Sequence, residues 1–169
     1  MRTLLNRTAA MVLASLMLMS SAVAADAKAK PPKPPAADTK VKQSARSHRL
    51  LIQVDQNDPA VMNLALNNAT NVIEYYRSKG EEVAVDVVTY GPGLHMLRAD
   101  TSPVLDRIKQ LKSVVFPSTI QFSACNNTKE GMEKKEGHPI ELASDAVLVP
   151  SGVIHLMEMQ EEGWSYIRP

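Results

Sequence analysis

The chain has 169 residues, a formal net charge of +1 and a single cysteine, Cys125. One cysteine excludes an intramolecular disulfide framework, and the near-neutral total gives no case for a nucleic-acid partner. That total hides two opposed regions: residues 25–47 carry six Lys/Arg against two Asp/Glu, whereas residues 48–169 carry eleven against sixteen.

Residues 1–24 open with Arg2 and Arg7, run uncharged from Thr8 to Ala24, and end on the small-x-small triplet Ala22-Val23-Ala24. This is the pattern of a cleavable secretory signal peptide. Its apolar core, Ala9 to Met19, is well short of the ~20 residues that span a bilayer. The mature protein is therefore expected to start near Ala25, to have no transmembrane segment, and to be periplasmic or secreted. Residues 25–47 hold two Pro-Pro pairs and scattered lysines, with Val41 as their one large apolar residue. They predict an extended, disordered linker, partly polyproline II. Its basic character suits a solvated tether, or contact with an anionic lipid or polymer.

Residues 48–169 are one domain's length. "RLLIQV" (49–54) is a continuous apolar run, as in a strand buried on both faces. Asp58-Pro59 predicts a helix start, and Val61, Leu64, Ala65, Ala69, Val72, Ile73 and Tyr76 follow at helical spacing until Gly80 stops it. "EVAVDVVTY" (82–90) is a second strand, ended by Gly91-Pro92-Gly93. A short helix is predicted over Leu94–Arg98 and another from Ser102-Pro103, with Val104, Leu105, Ile108 and Leu111 facing inward. "TIQFSAC" (119–125) is a third strand, after which Asn127 or Thr128 is expected to cap a helix reaching Lys135. "DAVLVP" (145–150) is a fourth strand. Ser151 is then expected to cap a helix that carries Val153, Ile154, Leu156 and Met157 with contacts on the Trp164 side and stops near Gly163. "SYIRP" closes as a fifth strand. The alternation predicts a three-layer α/β/α sandwich around a mostly parallel five-stranded sheet.

Ligands of open parallel sheets bind beyond the carboxyl ends of the strands. Three such ends carry suitable residues: Gly91 and Gly93; Cys125, Asn127 and Thr128; Ser151 and Gly152. Glycines allow close backbone approach, and helix starts offer free N–H groups to an anion. A thiol at a helix start should be a better thiolate than an ordinary one. Strand alternation places Cys125 on one face with Gln121 and Ser123, opposite Ile120 and Phe122, a polar face that favours access. Free cysteines are also among the most buried residues, so a structural role stays open. Neither a Walker loop nor G-x-G-x-x-G occurs, and no cofactor is predicted. His95-Met96 and His155-Leu-Met157 have copper-like donors, but helical spacing assigns Met157 to the core and His155 to solvent, so no metal is predicted.

"VDVVTYGPGLHMLRAD", "IQFSACNNT" and "LVPSGVIHLMEMQEEGWSYIRP" together resemble the exported branch of the DsrE/DsrF-like (YchN-like) family, over essentially all of residues 48–169. The resemblance implies a five-stranded parallel sheet, homotrimers or homohexamers, and a persulfide-bearing cysteine at the position of Cys125. Asn126 departs from the glycine common after that cysteine in this branch. Sulfur-relay members work inside the cell, so the sulfur donor and acceptor proteins are open. Two functions are expected as alternatives: a sulfur carrier or thiol-dependent small-ligand binder using Cys125, or a non-catalytic oligomeric binding or assembly module in which Cys125 is structural.

Overall fold

The computed structural model describes residues 48–169. The predicted signal peptide and linker lie outside the described residues. Strand β1 (His48–Val54) is followed by helix α1 (Pro59–Ser78), strand β2 (Val83–Thr89) and a 3-10 helix (Gly91–Leu97). Then come α2 (Leu105–Val114), β3 (Thr119–Cys125), α3 (Asn126–Glu136), β4 (Ala146–Val149), α4 (Gly152–Glu161) and β5 (Ser165–Ile167). The strands pair in the order β4-β3-β2-β1-β5, and every pairing is parallel. The fold is an α/β sandwich, as the alternation predicted.

Local chemistry accounts for the element boundaries. Asp58 caps α1 by accepting from the Ala60 N–H at 2.7 Å, with Pro59 at the first turn. Gly80 ends that segment at φ +70°, a region open to glycine at little cost. Two predicted starts shift. Gly91-Pro92-Gly93 opens the 3-10 helix instead of preceding it, because Gly91 turns the chain at φ +52° directly after the strand. Helix α2 begins at Leu105, since the Ser102 hydroxyl is bonded to the Met96 carbonyl at 2.5 Å and holds the preceding residues in a turn.

The two faces of the sheet are unequal. Leu50, Ile52 and Val54 of β1, Val85 and Val87 of β2, and Ile120, Phe122 and Ala124 of β3 face one side. There they meet Met62, Leu66 and Ile73 of α1, Leu94 and Met96 of the 3-10 helix, and Ile108 of α2. Each fully buried side chain of this size contributes about 2 kcal/mol. The second face buries a small apolar cluster of Leu51, Val88 and Leu156, flanked by Tyr90, Met159 and Trp164. Helix α4 supplies its cover.

That helix corrects the sequence expectation. Val153, Ile154 and Met157 are about half exposed, and α4 buries Gly152 and Leu156. A stripe at helical spacing marks an apolar surface, and here the sheet uses only one edge of it. Among the described residues, no helix is long and apolar enough to cross a membrane.

Candidate functional site: the Cys125 thiol at the sheet's carboxyl edge

Strand β3 sends Phe122 and Ala124 into the main core, so Gln121, Ser123 and Cys125 point to the α4 face. That assignment follows the sequence reading, but the access inferred from it does not: Cys125 is only 4% exposed. The cysteine is the last residue of β3 and also the N-cap of α3, which starts at Asn126. Neither Asn127 nor Thr128 is the cap. They occupy the first turn, where their backbone N–H groups have no partner within the helix.

The first turns of α3 and α4 converge on the sulfur. Burial pushes the Cys125 thiol up, but the Thr128 hydroxyl and the backbone N–H groups of Gly152, Thr128 and Asn127 outweigh it and bring the thiol below its ordinary value. No geometric capping bond joins the side chain to α3, so these donors act by favouring the thiolate once it forms. The Asn127 N–H is shared with the Pro150 carbonyl at 3.3 Å, which joins the start of α3 to the end of β4.

The other predicted residues take distinct places. Gly91 donates its N–H to the Thr128 hydroxyl at 2.9 Å. Gly152 packs directly on the site: a Cβ there would stand 3.0 Å from the Tyr90 Cβ and 3.3 Å from the Cys125 Cβ. Ser151 is the N-cap of α4 but makes no side-chain cap bond. Its carbonyl instead accepts from the His155 N–H at 2.9 Å. Gly93 is buried against β1, where a Cβ would lie 2.1 Å from the Val54 carbonyl oxygen. Packing alone therefore accounts for glycine at that position.

Two residues were missed. Asp86, 2% exposed on β2, accepts from the Ser123 hydroxyl at 2.8 Å and from the Gln121 amide at 3.2 Å. His155 of α4 closes this network, with its Nε2 2.8 Å from the Asp86 Oδ2. Burial pushes the Asp86 carboxyl above the usual range, and the hydrogen bonds from His155, Ser123 and Gln121 partly oppose it. The assignment of His155 to solvent and Met157 to the core is thus reversed. A signal for Asp86 existed, because a lone carboxylate inside a valine-rich strand needs buried partners.

A second polar group lies along the same edge of the sheet. Arg168 holds Asp55 at 2.9 and 3.1 Å, Gln53 donates to Asp55 at 3.2 Å, and the Tyr166 hydroxyl bonds Gln53. Burial, then the charge of Asp55, pushes the Tyr90 hydroxyl up. The copper-like donors do not converge: Met96 is in the core, His95 bonds Thr101 and His155 bonds Asp86. No cluster of His, Cys, Asp or Glu suited to a metal occurs among the described residues.

No family model and no curated protein matches the chain. Among solved structures it is similar to MTH1491 from Methanobacterium thermoautotrophicum, a protein of unknown function. The two are 30% identical with a TM-score of 0.61, over 73% of this chain and 100% of that one. The chain belongs to the family of MTH1491.

Proposed function

We propose that the protein is an exported DsrE/DsrF-like sulfur carrier that holds a persulfide on Cys125. One observation carries the reading: donors from the first turns of two helices, α3 and α4, meet at the only thiol, where Gly152 packs against Cys125, and favour its thiolate. In the transfer step the Cys125 thiolate attacks the outer sulfur of a donor persulfide. A new S–S bond forms at Sγ, the donor's S–S bond breaks, and the electron pair leaves with the donor thiolate. The acceptor step is the same exchange in reverse, so neither step needs an oxidant. Gly91, Thr128 and Gly152 serve the sulfur directly or through Thr128.

Export is proposed on the signal-peptide pattern of residues 1–24. Intact-mass measurement on protein recovered from its host tests it, and a retained Met1–Ala24 segment rejects it. Homo-oligomers, trimeric or hexameric, are proposed on the uneven sheet. Parallel sheets are normally covered on both faces, whereas here one helix covers the second face and leaves Val153, Ile154, Met157 and Val147 exposed.

The burial of Cys125 favours a second reading, a non-catalytic assembly module with a structural thiol. Treatment of the native protein with a low-molecular-weight persulfide separates the two. A carrier gains about 32 Da per sulfur while folded, and Cys125→Ser does not. A structural thiol gains that mass only after unfolding.

A further inference from the structure

Helix α4 is lightly held for an element that supplies part of the thiol site. It buries Gly152 and Leu156 alone. Among the described residues, the one side-chain hydrogen bond from within the helix to the sheet runs from His155 to Asp86, while Arg49 of β1 holds the far end by donating to the Glu162 carbonyl at 2.8 Å. His155 lies one turn after Gly152, and its own backbone N–H is bonded to the Ser151 carbonyl at 2.9 Å. The turn Ser151–His155 therefore has two fixed ends. Gly152 rests on Cys125 and Tyr90 at one end, and His155 is tied to the buried Asp86 at the other.

The anchor itself is well fixed. Asp86 sits opposite Gln121 in the β2–β3 register, and its two oxygens receive the Ser123 hydroxyl at 2.8 and 3.0 Å. Gln121 braces both partners, donating to Asp86 at 3.2 Å and to Ser123 at 2.9 Å. Ser123 and Cys125 leave β3 on the same face. The strand that carries the thiol and the helix that covers it are thus tied together by one buried carboxylate.

We propose that Asp86 and His155 are a positioning pair that fixes the first turn of α4 over Cys125 and so sets the reactivity of its thiol. The inference rests on the reading of Cys125 as the working group. Without the tie, the first turn of α4 is held by Leu156 and by glycine packing, and the Gly152 N–H loses its fixed distance to the sulfur. A hydrogen bond to a thiolate weakens steeply with such misplacement. His155 touches no reacting atom in this scheme and acts through Gly152.

The test is the pH profile of native Cys125 alkylation in wild type, His155→Ala and His155→Gln, with folding followed by circular dichroism. His155→Ala is expected to move the midpoint up by about one pH unit, the scale of one hydrogen bond to the charged form. That is about tenfold less thiolate at pH values below the midpoint. Gln can place an amide N–H near the Nε2 position, so His155→Gln is expected to recover most of the shift. A merely structural loss of stability would leave the midpoint of the folded fraction in place. If His155→Ala does not fold, the double variant Asp86→Asn/His155→Leu removes the tie and the buried charge together, and the same upward shift is expected. An unchanged midpoint in a folded variant overturns the positioning role and leaves the carrier reading intact. A wild-type thiol that alkylates only after unfolding overturns the carrier reading itself.

Discussion

Gly91 donates its backbone N–H to the Thr128 hydroxyl at 2.9 Å, and the same hydroxyl stabilises the Cys125 thiolate. The turn after β2 thereby orients a donor that belongs to the helix after β3. A hydroxyl whose lone pair is occupied by an N–H directs its own proton toward the remaining acceptor.

Thr128→Val tests this relay at constant shape. It removes the donor to sulfur and leaves the Gly91 N–H without its acceptor. The alkylation midpoint of native Cys125 is expected to rise by about one unit, and Thr128→Ser to restore it. A Val variant that titrates like wild type would remove Thr128 from the site.

Gly93→Ala should fail for a different reason. The added Cβ would meet the Val54 carbonyl oxygen at 2.1 Å and the Asp55 Cα at 2.8 Å, both backbone atoms that no side-chain rotation can clear. The expected cost is about 3 kcal/mol, the upper part of the range for overpacking. Urea unfolding of the two proteins measures it, and a loss below about 1 kcal/mol would contradict the close approach.

The strands, the lead helix and the place of Cys125 were legible because each is a local pattern. "RLLIQV" and "TIQFSAC" are apolar runs of strand length, and Asp58-Pro59 is a helix start written in two residues. The Asp86–His155 contact was not legible, since it joins positions 69 residues apart. Periodicity placed Val153, Ile154 and Met157 on an apolar stripe, but it does not say which surface that stripe meets. Nor does alternation give depth. It assigned Cys125 to the polar face, where the start of α4 packs Gly152 directly against it.

Arg98 supplies a pH-dependent prediction. Its side chain, 3% exposed, links the end of the 3-10 helix to α3 through Asp100 and Glu136, each at 2.6 Å. The guanidinium holds the Asp100 carboxyl at about 2 and pulls that of Glu136 below the usual range. Carboxyls depressed in the folded state stabilise it above their unfolded values, and this contribution disappears as pH falls through the folded ones. Arg98→Met is therefore expected to be less stable than wild type at pH 7, with the difference shrinking between the ordinary carboxylate range and pH 2. Urea midpoints at pH 7, 4 and 2.5 measure the trend. A gap that is constant across that range would mean the ion pairs are not what Arg98 contributes.

The exposed stripe of α4 gives the last prediction. Val153, Ile154 and Met157 are 49%, 50% and 52% exposed, and Val147 of the neighbouring edge strand β4 is 45% exposed. Val147 stands opposite Ser123, which places it on the α4 face of the sheet. Exposed apolar side chains on the poorly covered face of a parallel sheet suit another protein surface better than water. Under the proposed homo-oligomer, a second copy supplies that surface. Light scattering at micromolar concentration should give a multiple of the monomer mass for wild type. Ile154→Glu/Met157→Glu, which places two charges in the stripe, should give the monomer mass with an unchanged circular dichroism spectrum. Neither residue is buried in the single chain, so the pair should not disturb its core. A wild-type protein that is monomeric at this concentration rejects the assembly, and an oligomer that survives both charges places the interface elsewhere.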